Sequence, residues 1–114
     1  VMYGGQLVEV GDTVDVFNNS AHPYTMGLTN AFPSLADNPE RLVSIPGTPP
    51  DLVTPPEGCR FAERCPFETE ECAREPPVER VGDRHTARCH YTDRAETFRE
   101  ESSREKTWTE EADQ

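Results

Sequence analysis

All four cysteines of the chain lie in one stretch of 31 residues that is also rich in proline. They are separated by five, six and sixteen residues, and they are Cys59, Cys65, Cys72 and Cys89. Eight of the eleven prolines fall between Pro46 and Pro77. Because proline fixes φ and lacks a backbone N–H, we expect this stretch to form no long helix and no central strand. It should be an irregular, looping lobe that needs bonds through its cysteines to stay ordered.

Three kinds of bond could hold such a quartet. Disulfides suit an even number of cysteines in a region with little core, but they need an oxidising compartment. Structural zinc usually takes cysteines in tight pairs two residues apart, which gaps of five and six residues fit poorly. An iron–sulfur cluster takes four thiolates and accepts wider spacings. Spacing alone leaves these alternatives open, together with buried free thiols.

The composition limits both the core and the partners. Only 33% of the 114 residues are hydrophobic, so one small domain with a modest core is expected. The net charge of −11 argues against binding to nucleic acid or to anionic lipid, because both need a basic surface. Acidic residues are spread along the chain and Lys106 is the single lysine, a pattern that favours a protein adapted to concentrated salt.

The first residues predict strands followed by short helices. Residues 1–11 are typical of two short strands around a Gly4–Gly5 turn, since two glycines tolerate the positive φ angles of a tight hairpin. Asp12 or Thr13 can then cap a short helix that Asn18 and Asn19 close.

A second helix is predicted to begin near the His22-Pro23-Tyr24-Thr25 run, because proline is well tolerated in a first helical turn. Tyr24, Leu28 and Ala31 or Phe32 would form its apolar stripe, and Pro33 would end it. No acid or nucleophile lies at a recognisable spacing from His22, so we expect a structural role for this histidine.

The end of the chain is acidic and poor in large apolar side chains. Residues 92–114 carry eight acids against four bases, with only Phe98 and Trp108 as large apolar residues. This composition predicts a disordered tail or a frayed, solvated helix. The chain also lacks a phosphate loop, a His-Glu-x-x-His helix and a Gly-x-Ser-x-Gly elbow, so no catalytic residue is assigned.

Several motifs occur together in one order. Gly58-Cys59-Arg60-Phe61 leads to Arg64-Cys65-Pro66, and then to Cys72 and to Arg88-Cys89-His90. Upstream lie Ile45-Pro46-Gly47-Thr48-Pro49-Pro50 and the His-Pro-Tyr run at residue 22. In these motifs the chain resembles the C-terminal extension of ATP-binding subunits in oligopeptide and dipeptide ABC transporters. The resemblance covers residues 1 to about 91.

The resemblance implies an α+β fragment in three parts. Residues 1–20, a terminal β-hairpin and short helices, would end the nucleotide-binding core. Residues 21–91 would be the C-terminal extension with its irregular cysteine lobe, and residues 92–114 the acidic tail. Some members of the family hold a [4Fe-4S] cluster, which implies that role for Cys59, Cys65, Cys72 and Cys89, with zinc as the alternative.

The resemblance also implies a cellular setting. ATP and Mg²⁺ would bind a parent polypeptide whose catalytic motifs precede Val1, because this stretch contains none of them. The partners would be transmembrane permease subunits and a second ATP-binding subunit, at the cytoplasmic face of the membrane. The alternative function is a free-standing small adaptor that binds zinc or an iron–sulfur cluster.

The acidic composition gives a direct test. Screening shortens the Debye length from about 10 Å at 0.1 M salt to about 3 Å at 1 M, which relieves repulsion between the acids. We therefore expect the midpoint of thermal unfolding, followed by circular dichroism, to rise between dilute and molar sodium chloride. An unchanged or lower midpoint in molar salt would contradict adaptation to high salt.

Overall fold

A computed structural model describes residues 1–31, 45–50, 53–54, 57–104 and 107–108. Its first elements are strands β1 (Met2–Tyr3), β2 (Gln6–Leu7) and β3 (Glu9–Val10), followed by helices α1 (Thr13–Asn18) and α2 (Pro23–Ala31). Strands β4 (Val78–Gly82) and β5 (His85–Arg88) lie in the second half of the cysteine-rich stretch, and helix α3 (Ala95–Ser102) follows it. Single 3₁₀ turns cover Ala62–Arg64, Glu70–Ala73 and Thr92–Arg94. The predicted α+β class is confirmed.

Strands β1 and β2 form the expected hairpin. They are antiparallel, with Tyr3 opposite Gln6, and Gly4 and Gly5 both have positive φ (55° and 82°). Two positive φ angles are what a two-residue turn between twisted strands requires. Helix α1 also begins where predicted, directly after Asp12.

Helix α2 begins at Pro23 as predicted, but the face that it buries differs from the predicted stripe. Its buried residues are Pro23, Thr25, Met26 and Gly27, whereas Tyr24 and Leu28 are only partly buried. A Cβ at Gly27 would lie 2.7 Å from the Ile45 side chain and 3.0 Å from the Trp108 ring. The helix therefore packs through its smallest residue, which a search for large apolar side chains overlooks. The proposed stop at Pro33 lies outside the described residues.

The cysteine-rich stretch contains more regular structure than expected. Its second half forms a hairpin of β4 and β5, and β5 is the central strand of a three-stranded antiparallel sheet in the order β3-β5-β4. The expectation of an irregular lobe is wrong for this half, because the dense prolines end at Pro77 and leave the following amides free to pair. The pairing of β3 with β5 also joins the first residues of the chain to the stretch that carries Cys89.

Within residues 92–104 and 107–108, the acidic end of the chain contains helix α3, where the composition predicted a disordered tail or a frayed, solvated helix. Helix α3 buries Phe98, and the Trp108 ring is also buried, with its Nε1 donating a hydrogen bond to the Ser102 carbonyl oxygen (2.9 Å). Two large rings can hold a short acidic helix to the core, because each buries a large apolar area. The division into three units remains a prediction.

Two apolar clusters form the core. The first contains Tyr3, Val8, Phe61, Cys65 and Trp108, and the second contains Ala21, Met26, Ala87, Ala95 and Phe98. Phe67 packs against both clusters, so the cysteine-rich stretch lies between them.

Glu9 is fully buried between the sheet and helix α2. Its carboxylate accepts hydrogen bonds from the backbone amides of Ala21 (2.9 Å) and His22 (3.0 Å), just before the helix begins. His85 Nε2 on β5 lies 2.5 Å from the same carboxylate and donates to it. A buried carboxylate is tolerated only with such a complete set of donors, and its negative charge also favours the N-terminus of α2.

Replacing Glu9 tests how much these three contacts contribute. Glu9→Gln keeps the size of the side chain but replaces one acceptor oxygen with an NH₂ group that faces donors. We expect the free energy of unfolding, measured in urea, to fall by about 2 to 4 kcal/mol. Glu79→Gln on the exposed face of β4 is the matched control and should have little effect. Equal losses in the two variants would show that the Glu9 contacts contribute no special stability.

Candidate functional site

The four cysteines lie around one pocket. Cys59 and Cys65 flank the 3₁₀ turn Ala62–Arg64, Cys72 lies within the turn Glu70–Ala73, and Cys89 directly follows β5. All four line the same small cavity, and all four are free thiols. The convergence predicted from their clustering in the sequence is therefore present in the fold.

Rings and other apolar groups form the remaining walls of this pocket. They come from α2, from the cysteine-rich turns and from α3, and they are His22, Pro23, Phe61, Phe67, His90, Tyr91 and Phe98. Phe67 and Phe98 stack face to face with their centroids 4.1 Å apart. The hydroxyls of Thr69 and Tyr91 lie 2.5 Å apart and connect two sides of the pocket. The thiols thus face a largely apolar enclosure.

Backbone amides two residues further along the chain lower the pKa of three of these thiols. The Tyr91 amide lies 3.4 Å from Cys89 Sγ. The Phe61 amide interacts in the same way with Cys59, and the Phe67 amide with Cys65. Amides directed at sulfur stabilise thiolates, and such bonds also tune sulfur ligands in metal centres.

Burial opposes ionisation of the same thiols. It raises the pKa of Cys59, raises the pKa of Cys65 well above its usual value, and raises the pKa of Cys89 to about 11. The neighbouring thiols add to this effect, since each would repel a second negative charge in the pocket. Thiolates here would need a positive partner, which a metal ion supplies.

The sulfurs do not form a ligand set in their present positions. In the parts of the chain that the structure describes, no group of three or more His, Cys, Asp or Glu side chains is arranged to hold a metal ion. The donor types and their shared pocket suit a thiolate centre, but the sulfurs would have to move toward one another to bind one.

Two arginines beside these cysteines hold the lobe against the N-terminal hairpin. Arg64 donates hydrogen bonds to the Pro46 carbonyl oxygen (2.9 Å) and to the Tyr3 hydroxyl (3.2 Å). Arg60 donates to the Gly4 carbonyl oxygen in the hairpin turn. Neither role was predicted from the sequence, although the positions of the two arginines next to Cys59 and Cys65 are a possible signal.

Comparison with known proteins identifies the family. Residues 8–72, more than half of the chain, match the family model described as the C-terminal region of oligopeptide/dipeptide transporters. The chain belongs to this family.

Curated relatives of this C-terminal region are ATP-binding proteins. The dipeptide transport ATP-binding protein DppD of Escherichia coli (strain K12) is 44% identical over 92 residues, which cover 80% of this chain and 28% of the relative. A putative peptide import ATP-binding protein of Brucella ovis is 46% identical, with 78% and 28% covered. The oligopeptide transport ATP-binding protein OppD of E. coli is 47% identical, with 69% and 23% covered. The chain therefore spans less than a third of the relatives that it matches.

Family membership directs attention to the His-Pro-Tyr run, whose role in this chain is structural. His22 is buried, and its Nδ1 accepts a hydrogen bond from the Tyr24 amide (3.0 Å). The histidine thus satisfies one of the free amides at the start of α2, as an N-cap side chain does, and Pro23 follows in the first helical turn. The Tyr24 ring packs on Tyr3 and Phe61, with centroids 4.6 and 5.3 Å away.

No membrane-crossing helix accompanies this site. Within the described ranges, none of the helices has both the length and the apolar character needed to span a bilayer.

The capping role of His22 predicts a dependence on pH. Burial lowers the pKa of His22 from 6.5 to about 3, so between these values only the unfolded chain takes up the proton. Stability should therefore fall as the pH drops below about 6.5. His22→Asn keeps a capping oxygen without titrating, so from pH 7 to pH 5 the wild type should lose about 2 kcal/mol more than the variant. Urea unfolding at each pH measures this difference, and parallel pH profiles would contradict it.

Proposed function

We propose that the chain is the C-terminal portion of the ATP-binding subunit of a peptide-importing ABC transporter. The observation that carries this proposal is the match of residues 8–72 to the family, joined to 44–47% identity with dipeptide and oligopeptide transport ATP-binding proteins. Because those relatives are more than three times as long as the matched segment, ATP and Mg²⁺ would bind outside these residues.

The proposed setting follows from that role. The parent subunit would pair with a second ATP-binding subunit and would dock on transmembrane permease subunits at the cytoplasmic face of the membrane. The exposed apolar side chains near the start of the chain support packing against further polypeptide, since Met2, Leu7 and Val14 are 62%, 55% and 66% exposed.

The reading frame upstream of Val1 and the behaviour of the full polypeptide test this proposal. We expect the frame to continue into a phosphate loop and a signature motif. The tagged full polypeptide, extracted in mild detergent, should hydrolyse ATP and co-purify with permease subunits. A frame that starts next to Val1, or a full polypeptide that neither hydrolyses ATP nor binds a membrane protein, would favour the small adaptor instead.

We further propose that Cys59, Cys65, Cys72 and Cys89 together hold a [4Fe-4S] cluster, with zinc as the alternative. The shared pocket and the amide groups directed at three sulfurs support this assignment. When bound, the cluster would supply four iron–thiolate bonds that add folding free energy to a lobe with little core of its own. The residues themselves enclose the sulfurs and exclude water through the Phe61, Phe67 and Phe98 rings.

Metal and sulfide analysis of the full chain, made without oxygen, tests the cluster. We expect broad visible absorption, with iron and acid-labile sulfide in similar amounts. Cys65→Ser should lose most of both, whereas Ser103→Ala, at an exposed hydroxyl, should lose neither. Stoichiometric zinc without sulfide would replace the cluster with the zinc alternative, and protein free of both metals would contradict a metal centre.

A further inference from the structure

Two of the four cysteines differ from the others in their backbone contact. The Cys59 amide donates a hydrogen bond to the Cys72 carbonyl oxygen (2.9 Å), so the two residues are neighbours across the lobe. Disulfides join residues whose backbones approach closely, with Cα atoms about 4.4 to 6.8 Å apart. A direct backbone hydrogen bond, together with a shared pocket for the two sulfurs, provides such a close approach for Cys59 and Cys72.

Gly58 makes that approach possible. It has a positive φ of 76°, and a Cβ added to it would lie 2.5 Å from the carbonyl oxygens of Cys72 and Ala73. Any larger residue would push the two segments apart.

The same pair also borders the surface, and Cys59 is its more exposed member. Cys59 and Cys72 line the inner cysteine pocket and, in addition, an open depression on the surface. Cys65 and Cys89 line only the inner pocket among the cavities described, and Cys59 is the one cysteine of the four that is not fully buried. A small reagent can therefore reach the sulfur of Cys59 first.

The negative charge around this surface depression affects which oxidants can approach Cys59. Four acids line it, and they are Glu57, Glu63, Glu68 and Glu70. Like charges repel an anionic reagent such as oxidised glutathione, whereas a neutral peroxide meets no such barrier.

We infer that in the metal-free chain Cys59 and Cys72 form a reversible disulfide, and that a small neutral oxidant such as hydrogen peroxide drives it. The small fraction of Cys59 that is ionised attacks one peroxide oxygen, the O–O bond breaks with loss of hydroxide, and Cys59 becomes a sulfenic acid. The Cys72 thiolate then attacks that sulfur, the S–O bond breaks, and a second hydroxide leaves. The two thiol protons convert both hydroxides to water, so two thiols are oxidised as one peroxide is reduced.

The experiment maps the disulfide in the wild-type chain. The full chain is stripped of metal with a chelator under reducing conditions, freed of reductant and treated with hydrogen peroxide. Cleavage after both arginine and glutamate separates all four cysteines, so mass spectrometry assigns the pairs. We expect at least about tenfold more of the Cys59–Cys72 pair than of any other, because the fold preorganises it. Thiol reductant should restore four thiols.

Unfolded protein provides the reference. In urea, pairs that close the shortest loops should be favoured, which are Cys59 with Cys65 and Cys65 with Cys72. The inference would be overturned if the folded chain formed no disulfide or a different dominant pair. It would also be overturned if the set of disulfide pairs were the same with and without urea. An equal rate of oxidation by oxidised glutathione would overturn the selection of a neutral oxidant.

Glycine variants separate this geometry from general stability. Gly58→Ala should reduce the Cys59–Cys72 pair severalfold, because its Cβ forces Cys72 away. Gly47→Ala is the matched control, since Gly47 also has a positive φ (85°) but faces only the Arg64 side chain. Equal yields from the two variants would overturn the role of Gly58. The disulfide mapping of the wild-type chain remains a valid test even if one of the glycine variants fails to fold.

Discussion

The buried carboxylate of Glu9 connects parts of this fold that lie 12 to 76 residues apart in sequence. It accepts hydrogen bonds from the start of helix α2 and from His85 on strand β5, while the backbone of β3, which carries it, pairs with β5. A charge without water is stable only when hydrogen bonds compensate for the lost solvent, so removing any one of these contacts should weaken the others. The order of the sheet, the position of α2 and the burial of His22 all depend on that one group.

Only one side of the cysteine pocket is formed by the elements that Glu9 connects. Pro23 at the start of helix α2 and His22 before it contribute to its wall, and Cys89 lies at its edge, directly after β5. The opposite side, with the other three cysteines, consists of 3₁₀ turns, whose backbone hydrogen bonds are local apart from the one between Cys59 and Cys72. That side is held by the Phe61 ring and by the Arg60 and Arg64 contacts with the hairpin and with residue 46. One half of the pocket is therefore fixed by the sheet, and the other half depends on bonds made by its own side chains.

Local chemistry made part of this structure predictable. The glycine pair of the first hairpin and the proline at the start of α2 act within a few residues, so the sequence alone indicates them. Clustering also predicted that the cysteines meet. The buried role of Glu9 could not be predicted, because its partners are 12 to 76 residues away in sequence. Strand β3 also reverses the usual pattern, since it buries this acid and leaves the apolar Val10 beside it 47% exposed. The composition of residues 92–114 also did not predict that the rings of Phe98 and Trp108 are buried. An average over many acids ignores the positions of single apolar residues.

The same pocket sets two conditions on the sulfurs, and they favour different states. Amides directed at Cys59, Cys65 and Cys89 favour thiolates, whereas burial and mutual repulsion disfavour them. A metal centre resolves this conflict only by bringing positive charge into a chain whose net charge is already −11, where cations are attracted from a distance. A disulfide resolves it differently, because it is neutral and needs no counter-charge. Without metal, the apolar pocket therefore favours either four neutral thiols or a disulfide. The backbone contact between Cys59 and Cys72 determines which two cysteines form that disulfide.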